Sequence, residues 1–152
     1  MEAGERFPDY VLTDDTGAEF DSRSMAGKRY ILYFYPKDNT GGCTTEAKDF
    51  TAAAPTLAEK GIEVIGVSKD STKSHQNFKE KHSLGIRLLS DPELGLMKKV
   101  GAWGTKVMYG KQVEGVIRST FIIGTDGNIE AVWYKVKVAG HVQKVVEKAL
   151  SG

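Results

Sequence analysis

Apolar residues fall in short blocks along the chain, and their period changes from block to block. Tyr30–Tyr35 is an unbroken run rich in aromatic and β-branched side chains. It is too short for a helix and predicts a buried central strand, ended by Pro36 because proline has no ladder donor. From about Thr44 to Lys60 the period lengthens. Phe50, Ala53, Ala54, Leu57 and Ala58 share one face at the i, i+3, i+4, i+7, i+8 spacing, which predicts a helix. Thr44 and Thr45 supply capping-type residues at its start, Glu46 sits in the first turn, and Gly61 closes it. Pro55 lies inside it without a donor, which predicts a kink or break near Ala52–Ala54 at a cost of roughly 3 kcal/mol. Ile62–Val67 predicts a second buried strand, and strand, helix, strand in succession predicts a parallel crossover.

The flanks fill in around this unit. Tyr10–Thr13 and Ala18–Asp21 enclose Asp14-Asp15-Thr16-Gly17, a hairpin signal, and Ser22–Gly27 reads as a short helical turn or loop. Ser71 to about His82 reads as a polar helix anchored chiefly by Phe78, Arg87–Leu89 as a short strand, and Pro92–Val100 as a short helix. Trp103–Gly115 has glycines at 104, 110 and 115 and no clear period, which predicts a loop. Ile117–Ile123 and Ile129–Tyr134 predict strands joined by the turn Thr125-Asp126-Gly127-Asn128. Val142, Val145, Val146, Ala149 and Leu150 form the stripe of a final helix. After the N-terminal hairpin the order is βαβαβαββα, an α/β class. No repeat, low-complexity tract or linker divides it, so one domain over residues 1–152 is expected.

Composition narrows the function classes. Hydrophobic residues make up 40% and charged residues 27%, ordinary for a soluble globular protein with a real core. The 21 basic and 20 acidic residues leave a formal charge of +1, which does not point to nucleic acid or an acidic membrane surface. The longest apolar run is too short to span a bilayer. Nothing resembles a secretory leader, and a single cysteine excludes an internal disulfide framework, so a cytoplasmic, reducing compartment is the expectation. His75, His82 and His141 are scattered over polar helices and a loop without ligand spacing. Surface or packing roles are expected of them, and no metal site.

The chemistry gathers at Pro36-Lys37-Asp38-Asn39-Thr40-Gly41-Gly42-Cys43, where the central strand gives way to a helix. Unpaired N–H groups and the positive end of the macrodipole at a helix start favour thiolate over thiol. On composition alone a lone cysteine reads first as a small buried hydrophobe, and its place after a Gly-Gly turn at a helix start reverses that reading. Complete ionisation of an ordinary thiol gains at most ~30-fold near neutral pH. A nucleophile that must outrun the bulk thiols of a cell therefore needs donors aimed at its reacting partner as well.

Pro36, Thr40 and Cys43 form a Pro-x-x-x-Thr-x-x-Cys pattern that resembles the active-site signature of the peroxiredoxins. The string Tyr33–Ala47 (YFYPKDNTGGCTTEA) looks like the bacterioferritin-comigratory, or peroxiredoxin Q, branch. Gly66–Ser71, Leu88–Glu93, Tyr109–Gly115, Arg118–Gly124 and Lys135–His141 are similar to the same branch, so the resemblance spans nearly the whole chain. It implies a thioredoxin-like fold with an N-terminal β-hairpin extension and a central mixed sheet flanked by helices. It implies a thiol-dependent peroxidase with no metal or organic cofactor, acting on hydrogen peroxide and alkyl hydroperoxides. In that reading Cys43 attacks the peroxide and becomes a sulfenic acid. Thr40 orients the substrate, the backbone N–H groups of Gly42 and Cys43 complete an oxyanion-type pocket, and Pro36 shields the thiolate from water. Arg118 faces the thiolate and the leaving oxygen, and Glu46 holds Arg118 in place. The plain readings stand beside these: Thr40 as a turn residue, Glu46 as a first-turn helix residue, and Trp103 and Tyr109 either walling the pocket or packing in core and loop.

Two departures from the resembled pattern matter. Many members carry a resolving cysteine five residues after the first or about one helix further on; here those positions are Lys48 and Lys79. No intramolecular disulfide can form. A one-cysteine cycle follows, recycled by an external thiol such as thioredoxin, glutaredoxin or a small thiol, in a monomer or in a weak homodimer joined through Cys43. The rivals are a peroxide-sensing relay that hands oxidation to a partner protein and a non-catalytic holdase module. Second, the family usually has Pro-Gly before the cysteine where this chain has Gly41-Gly42. Glycine loses more backbone entropy on ordering, which predicts a more mobile loop.

Overall fold

The computed structural model describes residues 1–151. Strands β1 (Val11–Asp14) and β2 (Glu19–Asp21) form the N-terminal hairpin. Its turn is held by the Asp14 carboxylate, which accepts from the backbone of Thr16 and Ala18. A single 3₁₀ turn, Ser22–Met25, leads into β3 (Arg29–Phe34), the strand on which the molecule is built. Helix α1 (Gly41–Glu59) crosses over to β4 (Ile62–Ser68), and α2 (Thr72–His82) to β5 (Arg87–Ser90); β3, β4 and β5 pair in parallel. After α3 (Gly95–Val100), β6 (Trp103–Met108) and β7 (Lys111–Val116) make a separate two-stranded arm. The chain then returns through β8 (Ser119–Ile123), antiparallel to β3, and β9 (Ile129–Trp133), and ends in α4 (His141–Ser151). The resulting seven-stranded mixed sheet has the order β2-β1-β5-β4-β3-β8-β9.

β3 explains why its sequence shows no polar alternation. Ile31 and Tyr33 face one core with Phe50, Leu57, Phe78 and Val145; Tyr30, Leu32 and Phe34 face a second core with Ile65, Phe121 and Met97. A strand covered on both faces has no polar side to show. Every residue from Tyr30 to Tyr35 is buried. The central strand fixes the chain just before Pro36, so the next few residues are delivered to the carboxyl edge of the parallel strands, where α1 begins.

Several sequence expectations need correction. Trp103–Gly115 is not a loop but the β6–β7 hairpin, with Trp103 opposite Val116 and Met108 opposite Lys111. Most of its side chains are exposed, so no buried face imposed a period. Its turn is Tyr109-Gly110, both at positive φ (52° and 77°), the geometry of a two-residue hairpin turn that glycine favours. The long helix begins at Gly41 rather than Thr44, its N-cap being Thr40. It runs without a break through Pro55, which lies on the exposed face where the carbonyl freed by the missing donor can meet solvent, while Phe50 and Leu57 anchor either side. β8 begins at Ser119, leaving Arg118 just ahead of the strand rather than inside it. The helix expected over Pro92–Val100 is helical only from Gly95.

No helix among the described residues is long and apolar enough to cross a membrane.

Candidate active site

Cys43 is the third residue of α1, one turn beyond the N-cap Thr40. The first intrahelical bond runs from the Thr44 N–H to the Thr40 carbonyl at 2.8 Å. The N–H groups of Gly41, Gly42 and Cys43 therefore have no partner within the helix. The side chain itself points inward: Cys43 is 1% exposed.

Arg118 reaches this sulfur from the segment between β7 and β8. Its Nη2 donates to Cys43 Sγ at 3.3 Å and its Nη1 to Glu46 Oε1 at 2.6 Å. Glu46 lies on α1 one turn after the cysteine, fully buried, so the guanidinium forks between two acidic groups of the same helix turn. Gly42 lies against the fork: a Cβ there would sit in ordinary contact with Arg118 Nη2 at 3.4 Å. Burial works against the Arg118 charge, yet the Glu46 carboxyl and the Cys43 sulfur beside it hold its pKa above the usual arginine value. Burial pushes the Glu46 carboxyl up to about 7, against the lowering effect of Arg118. Burial also keeps the Tyr33 hydroxyl protonated well beyond its ordinary range, with Glu46 and Cys43 adding to the effect.

The other predicted residues divide. Pro36 lines, with Arg118, a groove of about 560 Å³ whose remaining wall includes Val107, Val116, Ile117 and Val136. Thr40 is exposed, and its hydroxyl donates to the Lys37 carbonyl at 3.0 Å; it makes no capping bond to the helix. A hydroxyl whose proton is so placed retains lone pairs to accept from a peroxide O–H. Tyr109 is 97% exposed at the tip of the β6–β7 arm and walls nothing. Trp103 packs against the core beneath α3. Lys48 is exposed on α1, and Lys79 on α2 pairs with Asp15.

A buried network beneath the loop escaped the sequence reading. Asp38 Oδ1 accepts from Tyr35 Oη at 2.6 Å, its Oδ2 accepts from Ser74 Oγ at 2.8 Å, and His75 Nδ1 lies 2.8 Å from that same Oδ2. His75 Nε2 reaches the Leu89 carbonyl at 3.0 Å. The residues Pro36–Thr40 are thereby tied to α2 and β5. The available signal was the spacing of His75 and Phe78, three apart on one face of an otherwise polar helix. His141, expected on a loop, opens α4; its Nε2 is 2.8 Å from Thr120 Oγ1, and burial together with Arg118 pushes its pKa down to about 4. Both histidines are packing residues with polar partners. His82, half-buried on α2, has Asn39 within hydrogen-bond distance of Nε2.

A larger hollow of about 700 Å³ lies at the other end of the sheet. Its charged groups are largely paired with each other, Asp15 with Lys79 and Glu63 with Arg87. No group of three or more His, Cys, Asp or Glu side chains fit to hold a metal occurs among the described residues.

Comparison with known proteins gives a consistent result. The AhpC/TSA family matches residues 3–132. Peroxiredoxin Bcp of Bacillus subtilis is 43% identical over 147 residues, covering 97% of this chain and 94% of its own. A mutant form of Xanthomonas campestris peroxiredoxin Q superimposes with a TM-score of 0.92 at 40% identity, covering 99% of each chain. The bacterioferritin comigratory protein of the same organism, solved in connection with its alkyl peroxide reduction activity, gives a TM-score of 0.92 at 40% identity over 99% of this chain and 98% of that one.

Proposed function

This chain belongs to the AhpC/TSA family, and we propose that it reduces hydrogen peroxide and alkyl hydroperoxides by a one-cysteine cycle at Cys43. As a peroxiredoxin of the Bcp type it is a thiol-dependent peroxidase with a thioredoxin-like fold. The observation that carries the reading is the Arg118 fork, which puts a fixed positive charge against a thiol in the first turn of a helix.

The Cys43 thiolate attacks the hydroxyl oxygen of the peroxide. An S–O bond forms, the O–O bond breaks, and its electron pair leaves on the distal oxygen, which takes a proton to become water or an alcohol. Arg118 and the free N–H groups of the α1 first turn stabilise the thiolate and the departing oxygen, and Thr40 accepts from the peroxide O–H. The groove beside Pro36 and Arg118 is mixed, with Thr105, Lys106 and Lys135 in its lining, and its Val107, Val116, Ile117 and Val136 side suits an alkyl substituent, in keeping with the alkyl peroxide activity of the Xanthomonas relative. Cys43 is the only cysteine of the 152 residues, so the sulfenic acid has no internal partner. An external thiol attacks the sulfur with loss of water, and a second thiol displaces Cys43 from the mixed disulfide. The sum is one peroxide and two thiols converted to an alcohol, water and one disulfide. The near-complete burial of Cys43 means that the first turn of α1 must open for the incoming thiol.

The test is steady-state peroxide consumption with thioredoxin and its reductase, and separately with a small dithiol. Turnover with either, abolished by Cys43→Ser, is expected. Stoichiometric consumption that stops after one peroxide per chain with every reductant would replace the cycle with the relay reading.

A further inference from the structure

Arg118 bonds two acidic groups at once, Glu46 Oε1 through Nη1 and Cys43 Sγ through Nη2. Both are buried, and Glu46 Oε2 has no hydrogen-bond partner among the described residues. One guanidinium balances one negative charge. With Cys43 and Glu46 both ionised, the trio would carry an uncompensated negative charge on two buried groups, which is strongly disfavoured; with one ionised, it is neutral. We propose that Glu46 holds a proton while Cys43 is a thiolate and releases it when Cys43 becomes a sulfenic acid, so that Arg118 always faces one anion.

The surroundings support one proton for the pair. From β3, Tyr33 presents a buried hydroxyl without a partner among the described residues, and it stays protonated. From α1, Asp49 adds negative charge that resists Glu46 ionisation. From α4, His141 near Arg118 stays neutral at physiological pH, and Lys144 lies beyond it. Asp38, on the loop after β3, adds negative charge near Tyr33. Among these groups only Arg118 brings a cation into contact with Glu46. The raised Glu46 carboxyl, at about 7, agrees with the arrangement. Two acids coupled through one base titrate as a pair rather than singly.

The inference rests on the peroxidase reading of Cys43. The balance is a thiolate, a hydroperoxide and a carboxylic acid going to a sulfenic acid, an alcohol and a carboxylate. Sulfur gives two electrons to the O–O bond, the leaving oxygen gains a proton, and Glu46 loses one. Glu46 acts through Arg118, as a positioning residue that carries the compensating proton.

Infrared difference spectra of the full chain, reduced minus peroxide-oxidised at mildly alkaline pH, above the value burial gives Glu46, test this, with intact mass read on the same samples. The reduced protein is expected to show a protonated-carboxyl stretch that disappears on oxidation. The stretch should be missing from Glu46→Gln. Cys43→Ser, which removes the competing anion and does not disturb Glu46, should also lack it. Gain of one oxygen at Cys43 without loss of such a band overturns the proposal and leaves the peroxidase standing. The same band change in Glu46→Gln overturns the assignment to Glu46. Failure of Cys43 to gain oxygen overturns the peroxidase reading and this inference with it.

Discussion

At 3.3 Å from the Cys43 sulfur, Arg118 Nη2 supplies both a charge and a hydrogen bond, and its other arm is fixed by Glu46. Arg118→Ala removes a preorganised donor from the reacting centre, a change worth about 10²- to 10³-fold in rate at comparable sites. Single-turnover oxidation by peroxide should slow to that extent, and Arg118→Lys, which keeps the charge but loses the fork, should fall between. An unchanged rate would remove Arg118 from the site. Glu46 sets a pH dependence of stability. The folded protein holds the Glu46 proton up to about pH 7, whereas the unfolded chain releases it near 4.5. The folded state therefore binds more protons in that window, and stability falls as pH rises through it. The loss attributable to Glu46 is about 3 kcal/mol. Urea unfolding of the reduced protein across the window should show this decline, and Glu46→Gln should flatten it.

At the scale of elements, α1 and the loop before it decide the site. Gly41 is the first helical residue, where proline is favoured because its missing N–H has no helical partner. Thr40 is already extended (φ −89°, ψ 156°), as a residue before proline must be, and a Cβ at 41 would meet nothing within 4 Å. Gly41→Pro should therefore raise stability by about 0.4–1 kcal/mol, read as a shift in the urea midpoint at constant slope. A loss of stability would mean the loop uses a conformation proline cannot take. The parts of this architecture that bury a stripe could be read from sequence: the run Tyr30–Tyr35, the Phe50–Leu57 face, and the positions of Cys43 and Glu46 at the start of a helix. The β6–β7 arm could not, because Val107, Met108, Tyr109 and Val113 are exposed and a strand without a buried face leaves no alternation. The helix start was misplaced because Thr44 and Thr45 have capping chemistry, while Thr40 caps with its backbone alone. The Asp38–His75 network was hidden because its members come from three elements, and only folding brings them together.

For the whole molecule, the mixed sheet holds the carboxyl end of β3 rigid between two cores. The thiol at the start of α1 and the arginine before β8, 75 residues apart in sequence, meet across it. The fold therefore presents an assembled centre, but one whose sulfur is 1% exposed. Peroxide, a small molecule, needs a much smaller opening to reach the sulfur than a thiol reductant, for which the first turn of the helix must loosen. Oxidation and recycling should therefore separate in time. The most direct measurement is stopped-flow oxidation of the reduced protein by hydrogen peroxide, followed by intact mass, then addition of a dithiol or thioredoxin. Gain of one oxygen at Cys43, far faster than for a free thiol, with slower return to the starting mass once reductant is added, is the predicted result. Oxidation no faster than that of a free thiol would contradict the account, leaving a peroxiredoxin fold without a peroxidase centre.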